Sequence, residues 1–172
     1  MKYMIKEGIL YDNDSHQALV KMKSSIIGSE KKIYEMSGSL ALEASIKTED
    51  GSGDVRKHEY LLTDSNGKLV CSAHPDFADG DDPYVTGWPV CRMPKVDHAN
   101  VKVQDKDYVL TMHNSQNYSL TDSNHTEKLN IMHKGISGGW ILDDKCDLSP
   151  ELLCGIFAFC RYIEQENEFL IV

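Results

Sequence analysis

Long apolar runs are missing from this sequence. The longest uncharged apolar stretch is Leu152 to Cys160, nine residues, and a bilayer-spanning helix needs about 20. Met1 to Glu7 contains no apolar signal core, so the expectation is a soluble, cytoplasmic protein without a transmembrane segment. Basic charge is in deficit: 18 Lys and Arg face 27 Asp and Glu, for a formal charge of -9. Duplex binding draws its affinity from neutralising phosphates, so nucleic acid is not an expected partner. Paired cysteines are lacking too. The five Cys, at 71, 91, 146, 154 and 160, are odd in number and never spaced CxxC. They read as reduced thiols, with Cys154 and Cys160 serving as small hydrophobes.

Catalytic spacings are also absent. The seven His, at 16, 58, 74, 98, 113, 125 and 133, form no HExxH and no short pair. Cys91 would meet a base in His74, His98 or His113 only if the fold gathered them. Ser137-Gly138-Gly139-Trp140 fits no GxSxG, P-loop or dinucleotide pattern. It reads as a bend into a strand, with its backbone close to a helix. Asp76-Phe77-Ala78-Asp79-Gly80-Asp81-Asp82-Pro83 concentrates carboxylates that a hard cation could use. It lacks the EF-hand order and reads as a solvated acidic loop. Asp143, Asp144 and Asp147, near the helix start, read as capping groups and dipole complements rather than ligands. Tyr84, Trp88, Pro89 and Pro94 read as cover for the end of a core. No catalytic residue, metal ligand, cofactor-binding residue or cofactor is assigned, and the protein is expected not to be an enzyme.

What the chain does contain is alternation. Ala18, Val20, Met22, Ser24 and Ile26 share one face against Lys21 and Lys23. Leu40, Leu42, Ala44 and Ile46 oppose Glu43, Ser45 and Lys47. His58-Tyr60-Leu62, Val101-Val103, Tyr108-Leu110-Met112, Tyr118-Leu120, Leu129-Ile131 and Trp140-Leu142 repeat the period of two that marks half-buried strands. Asp12 to Ser15, Glu49 to Gly53, Ser65-Asn66-Gly67 and Gly138-Gly139 separate them. About eleven or twelve short strands follow, with no linker dividing them, hence a single domain over residues 1–172. Tyr60-Leu61-Leu62-Thr63-Asp64-Ser65-Asn66 echoes Tyr118-Ser119-Leu120-Thr121-Asp122-Ser123-Asn124. Asn66-Gly67 reads as a two-residue hairpin turn, and the second copy as a longer tip through His125-Thr126-Glu127.

One helix is expected. Ser149 can cap it, Pro150 suits its first turn, and Glu151 favours its positive end. Leu152 to Cys160 is apolar all round, which requires burial on every side. Charge resumes at Arg161, Glu164 and Glu166, where the helix should emerge, and Phe169 to Val172 reads as a final strand or docked tail. A twelve-strand barrel tilted about 40° has a radius of roughly 12 Å, an eight-strand one roughly 8 Å. Layers pack about 10 Å apart, so only the larger barrel holds a helix on its axis. The fold class is therefore mainly β: a closed barrel of about twelve strands around a central hydrophobic C-terminal helix.

In its order of elements the chain resembles the tubby C-terminal-like superfamily, which includes LURF-one-related proteins and phospholipid scramblases. The residues are Tyr118 to Asp122 in a strand-to-turn step, a strand from Ile136 to Asp143, an acidic loop through Asp147, the helix Leu152 to Phe159, and the earlier Tyr60 to Gly67 hairpin. The resemblance implies a twelve-stranded barrel around a central helix. Tubby-like domains bind phosphoinositide headgroups through paired Lys or Arg on the barrel wall. No such pair transfers to a position here: Lys21 with Lys23, and Lys31 with Lys32, read as solvated strand faces. The resulting expectation is a non-enzymatic domain recognising a phospholipid headgroup, a membrane surface or a protein partner. The alternatives are an acidic protein-interaction scaffold and an enzyme with its site at a barrel end.

Overall fold

In the computed structural model, which describes residues 1–49, 53–82 and 94–169, the alternating stretches become strands with their apolar members turned inward. In chain order they are β1 (Lys2–Lys6), β2 (Ile9–Asp12), β3 (Ala18–Ser24), β4 (Lys31–Glu35), β5 (Leu40–Thr48), β6 (His58–Asp64), β7 (Leu69–Phe77), β8 (Val96–Val103), β9 (Lys106–Asn114), β10 (Asn117–Asp122), β11 (Glu127–His133) and β12 (Trp140–Asp144). Each strand pairs antiparallel with the next, and β1 pairs with β12 to close a twelve-strand barrel. The closing register sets Tyr3 opposite Leu142 and Ile5 opposite Trp140. Among the described strands, closure leaves no edge to protect.

The helix α1 (Pro150–Phe169) begins as the sequence implies. The Leu152 amide donates to Ser149 Oγ at 3.3 Å, and Glu151 lies in the first turn. Leu153 through Cys160 are all buried, with Tyr162 and Ile163 beyond them. They meet the inward faces of the wall, where Val20, Ile33, Ala44, Tyr60, Leu62, Val101 and Leu110 are likewise buried. Tyr60 sits between Phe159 and Tyr162, at centroid distances of 5.7 and 5.2 Å. Trp140 packs edge-on against Phe157 at 5.2 Å. The helix therefore occupies the lumen. Gly155 makes this fit possible on one side: a Cβ there would overlap the Leu62 methyl groups.

Several local expectations are corrected. Ile26 lies beyond β3 and Ile136 before β12, and both are fully exposed rather than on an inward face. Phe169 is the last residue of the helix, not the start of a strand, and 170–172 lie outside the described residues. Glu166 does not emerge. It is 5% exposed and hydrogen-bonded inside the barrel mouth. The Gly138-Gly139 bend approaches β1 rather than the helix, since a Cβ on Gly139 would lie 2.9 Å from the Ile5 carbonyl oxygen.

The two echoing hairpins share one turn of three residues, neither of the two forms expected. The Asp64 amide donates to the Lys68 carbonyl and the Gly67 amide to the Asp64 carbonyl, both at 2.9 Å. The Asp64 carboxylate also accepts from the amides of Asn66 and Lys68. Asp122, Asn124, His125 and Thr126 repeat every one of these bonds. Gly67 at φ +77° and His125 at φ +58° fill the same left-handed position. A leading Asp that holds two turn amides is the sequence origin of both.

Helix placement can be tested by coupling. Gly155→Val should destabilise by about 1–3 kcal/mol through overpacking, and Leu62→Ala by about 2–5 kcal/mol. The double variant should cost clearly less than the sum, measured by urea unfolding; strict additivity would show that the two positions do not touch. Phe157→Asp puts an unpaired charge into the lumen, and no cooperative thermal transition is expected. A cooperatively melting Phe157→Asp protein would refute the central placement.

Candidate functional site

Regular walls and a filled lumen push distinctive chemistry to the two barrel ends. Because the sheet is a meander, connections alternate between ends. The β1–β2, β3–β4, β5–β6, β7–β8, β9–β10 and β11–β12 connections share the end where α1 finishes, called here the helix-C end. The others share the helix-N end.

At the helix-C end, two neighbouring tips are apolar. In the β3–β4 loop the Ser25 amide donates to the Glu30 carbonyl at 2.8 Å, and Ser25 Oγ to the Ile27 carbonyl at 2.7 Å. Tyr162 Oη, from the helix, donates to the Ser29 carbonyl at 2.6 Å. The base is thus pinned inward while the tip projects, leaving Ile26 102% and Ile27 87% exposed. In the β11–β12 loop the Lys134 amide donates to the Gly139 carbonyl and Ser137 Oγ to the Lys134 carbonyl, and Ile136 is 109% exposed. Only the β1–β2 turn lies between these tips around the rim. Lys6, Lys23, Lys32 and Lys134 surround them, all exposed, with Glu7 and Glu30 as the exposed carboxylates of the same loops.

The adjacent pair Lys31-Lys32 is split by the pleat. Lys32 faces outward and reaches Glu43 at 3.7 Å. Lys31 lies opposite Ser24 and Ala44 on the inward face, with Nζ 5.6 Å from the centre of the Tyr162 ring. Burial, and then the charge of Arg161, lower its pKa. Lys21 and Lys23 do share the outward face, as expected. Elsewhere on this rim, Asp82 pairs with Arg56 at 3.0 Å, and Asp81 accepts from the Lys95 amide at 3.2 Å.

Just inside the mouth, Glu166 Oε1 lies 2.9 Å from His58 Nδ1 and accepts from Tyr60 Oη at 3.2 Å. A cleft of about 450 Å³ beside this group is lined by Gly28, Ser29, Ile46, Thr48, His58, Gln165 and Glu166. Burial, reinforced by the nearby carboxylate, raises the Tyr60 pKa well above the usual phenol range. Asn167 bonds both the amide and the carbonyl of Val96, which anchors the helix end to β8.

The helix-N end differs in shape and charge. Asp144, 1% exposed, accepts from the Cys146 amide at 3.1 Å and the Leu148 amide at 2.8 Å. Its carboxylate builds the loop into the helix, so its role is loop formation rather than dipole complement. Around the helix start lies a cleft of about 750 Å³. Leu40, Val70, Val103, Leu148 and Leu152 form its apolar floor, and Glu35, Asp147 and Glu151 stand on its rim. A smaller groove beside it carries Asp105, Asp107 and Asp122.

The remaining sequence candidates do not converge. His74 lies 3.5 Å from Glu59, His98 lies 2.6 Å from Asp97, and His113 Nε2 lies 2.8 Å from Ser119 Oγ on the outer wall. Cys91, Tyr84, Trp88 and Pro89 lie outside the described residues; Pro94 is buried. Among the described residues no group of three or more His, Cys, Asp or Glu could hold a metal ion, and no helix is long and apolar enough to cross a membrane. No protein-family model, curated protein or solved structure matches this chain. Sequence reading missed the Ser119–His113 pair and the Glu166 cluster because both depend on cross-strand or helix-to-wall placement. It missed the Ile26–Ile27 tip by extending β3 too far.

Cys71, Cys146, Cys154 and Cys160 are free thiols. Burial pushes Cys71 and Cys154 up to about 12. Burial and the Asp144 carboxylate push the more accessible Cys146 up to about 11. A raised thiol pKa means that thiolate, the reactive form, appears only as pH rises. In a Cys91→Ser background, Cys146 should react with a disulfide reagent at pH 8 at least about tenfold more slowly than a free thiol, its small thiolate fraction being partly offset by the greater nucleophilicity of a more basic thiolate. Its rate should climb about tenfold per pH unit up to pH 10. A rate that is flat between pH 8 and 10 would contradict this environment.

Proposed function

We propose that this chain is a non-enzymatic binding domain that docks on anionic membrane surfaces through its helix-C rim. The observation carrying this reading is the trio Ile26, Ile27 and Ile136, fully exposed on neighbouring loop tips beside Lys6, Lys23, Lys32 and Lys134. Each isoleucine contributes up to about 1.5–3 kcal/mol when buried, and each lysine about 1 kcal/mol near an anionic leaflet. The outer wall favours surface docking over spanning. Glu43, Ser45 and Lys47 face outward on β5, the reverse of the apolar band on a membrane-spanning barrel.

The formal charge of -9 does not forbid this. Charges more than about 8 Å from the lipid are largely screened at physiological salt, so the rim matters more than the total. We also read the chain as a distant relative of the tubby C-terminal-like superfamily, a reading supported by the barrel order and the threaded helix. The proposed target is the cytoplasmic leaflet, which is anionic and adjoins a reducing compartment suited to free thiols.

Vesicles containing phosphatidylserine should sediment the protein at low salt, and pure phosphatidylcholine vesicles should not. The triple variant Ile26→Ser/Ile27→Ser/Ile136→Ser should weaken partitioning at least tenfold while its circular dichroism is unchanged. Lys23→Glu/Lys134→Glu should weaken it and flatten its salt dependence. Equal binding to both lipids, or a triple variant that binds like the wild type, would refute the rim as the docking face.

A further inference from the structure

At the opposite end, and independently of the membrane reading, we propose a second binding site: a groove for a basic, amphipathic peptide segment of a protein partner. The cleft of about 750 Å³ at the helix-N end combines two features that such a segment matches. Its floor is apolar and half-buried, formed chiefly by Val70, Val103, Leu148 and Leu152. Its rim carries Glu35, Asp147 and Glu151, and none of the three forms an ion pair among the described residues. By contrast Glu43, Asp122, Glu127 and Glu164 are each matched by a Lys or Arg. Unmatched carboxylates around an apolar floor select a ligand that brings cations and hydrophobes together, as basic amphipathic helices do.

The apolar character continues past the rim. Met36 and Leu69, 52% and 51% exposed, flank the cleft on adjacent hairpins. Asp105 and Asp107 in the neighbouring groove add negative charge beside Lys106, while Lys128 there is paired with Asp122 at 3.1 Å. The positive end of α1 opens here, but the Ser149 cap and Glu151 already face it. The carboxylates therefore dominate the field over the floor.

The site is also preformed. The Asp144 carboxylate fixes the Cys146 and Leu148 amides. The Asp64 turn and the equivalent Glu35 turn, whose amide donates to the Ser39 carbonyl at 2.9 Å, hold two of the hairpins. A rigid groove loses little entropy on binding. Because the two sites lie at opposite ends of one barrel, both can be filled at once, and the domain would link a lipid surface to a basic segment.

The test titrates the isotopically labelled full chain with a synthetic Leu/Lys amphipathic peptide about four helical turns long. A Leu/Glu peptide of identical spacing is the comparison. Saturable amide shifts confined to Val70, Val103, Leu148, Leu152 and their neighbours are expected with the Leu/Lys peptide alone. Glu35→Gln/Asp147→Asn/Glu151→Gln should weaken binding at least tenfold by anisotropy; Asn tolerates the left-handed backbone of Asp147, φ +55°. Ser65→Arg, which places a cation on an exposed turn lining the cleft, should do the same. Glu59→Gln/Glu168→Gln, at the other end, should retain wild-type affinity. The proposal is overturned if the peptide does not saturate or if shifts spread over the walls. It is equally overturned if the Leu/Glu peptide binds as well, or if the cleft variants bind like the wild type.

Discussion

A helix with no polar face, enclosed by a sheet with no edge, is the constraint on which this structure rests. Leu153 to Cys160 cannot face water on any side, and no single-sided surface would cover them. The wall answers with inward side chains from every direction, including Tyr60, Leu110, Leu120 and Leu142. Each part needs the other: without the helix, a twelve-strand lumen would be an apolar void, and without the closed wall the helix would be an aggregation hazard. Gly155 against Leu62 and the Trp140–Phe157 contact show how closely the two are matched.

That arrangement decides where function can reside. The lumen is filled by the helix and the inward side chains packed against it, and the wall is a continuous hydrogen-bonded ladder. Variation falls to the loops, and the meander sorts those loops into two sets. One set carries exposed isoleucines and lysines, with Asp81 and Asp82 elsewhere on the same rim. The other set gathers carboxylates around an apolar cleft. A net charge of -9 averages over both ends and describes neither.

Long strands were legible from their own period. β5, β6 and β9 alternate cleanly because one face meets the helix and the other meets water. β1, β2 and β4 are only four or five residues long, too short for a period to register, yet β1 forms one side of the closing seam. The Asp64 and Asp122 turns were visible as an echo, but their common length was not. Gly67 suggested one turn type and His125 another, although backbone hydrogen bonds put both in the same left-handed position. Glu166 looked like the point where the helix meets solvent. His58 and Tyr60, more than a hundred residues earlier, hold it inside.

Local pattern alone therefore determined the strand-rich class, the helix start at Ser149 and the need to bury that helix on all sides, because period, capping and apolarity are properties of neighbours in the chain. Tertiary structure alone decided which charges share an end, which isoleucines project and which carboxylates ring the apolar cleft. Those are distances between residues that the chain separates by up to a hundred positions or more, and only closure of the barrel sets them.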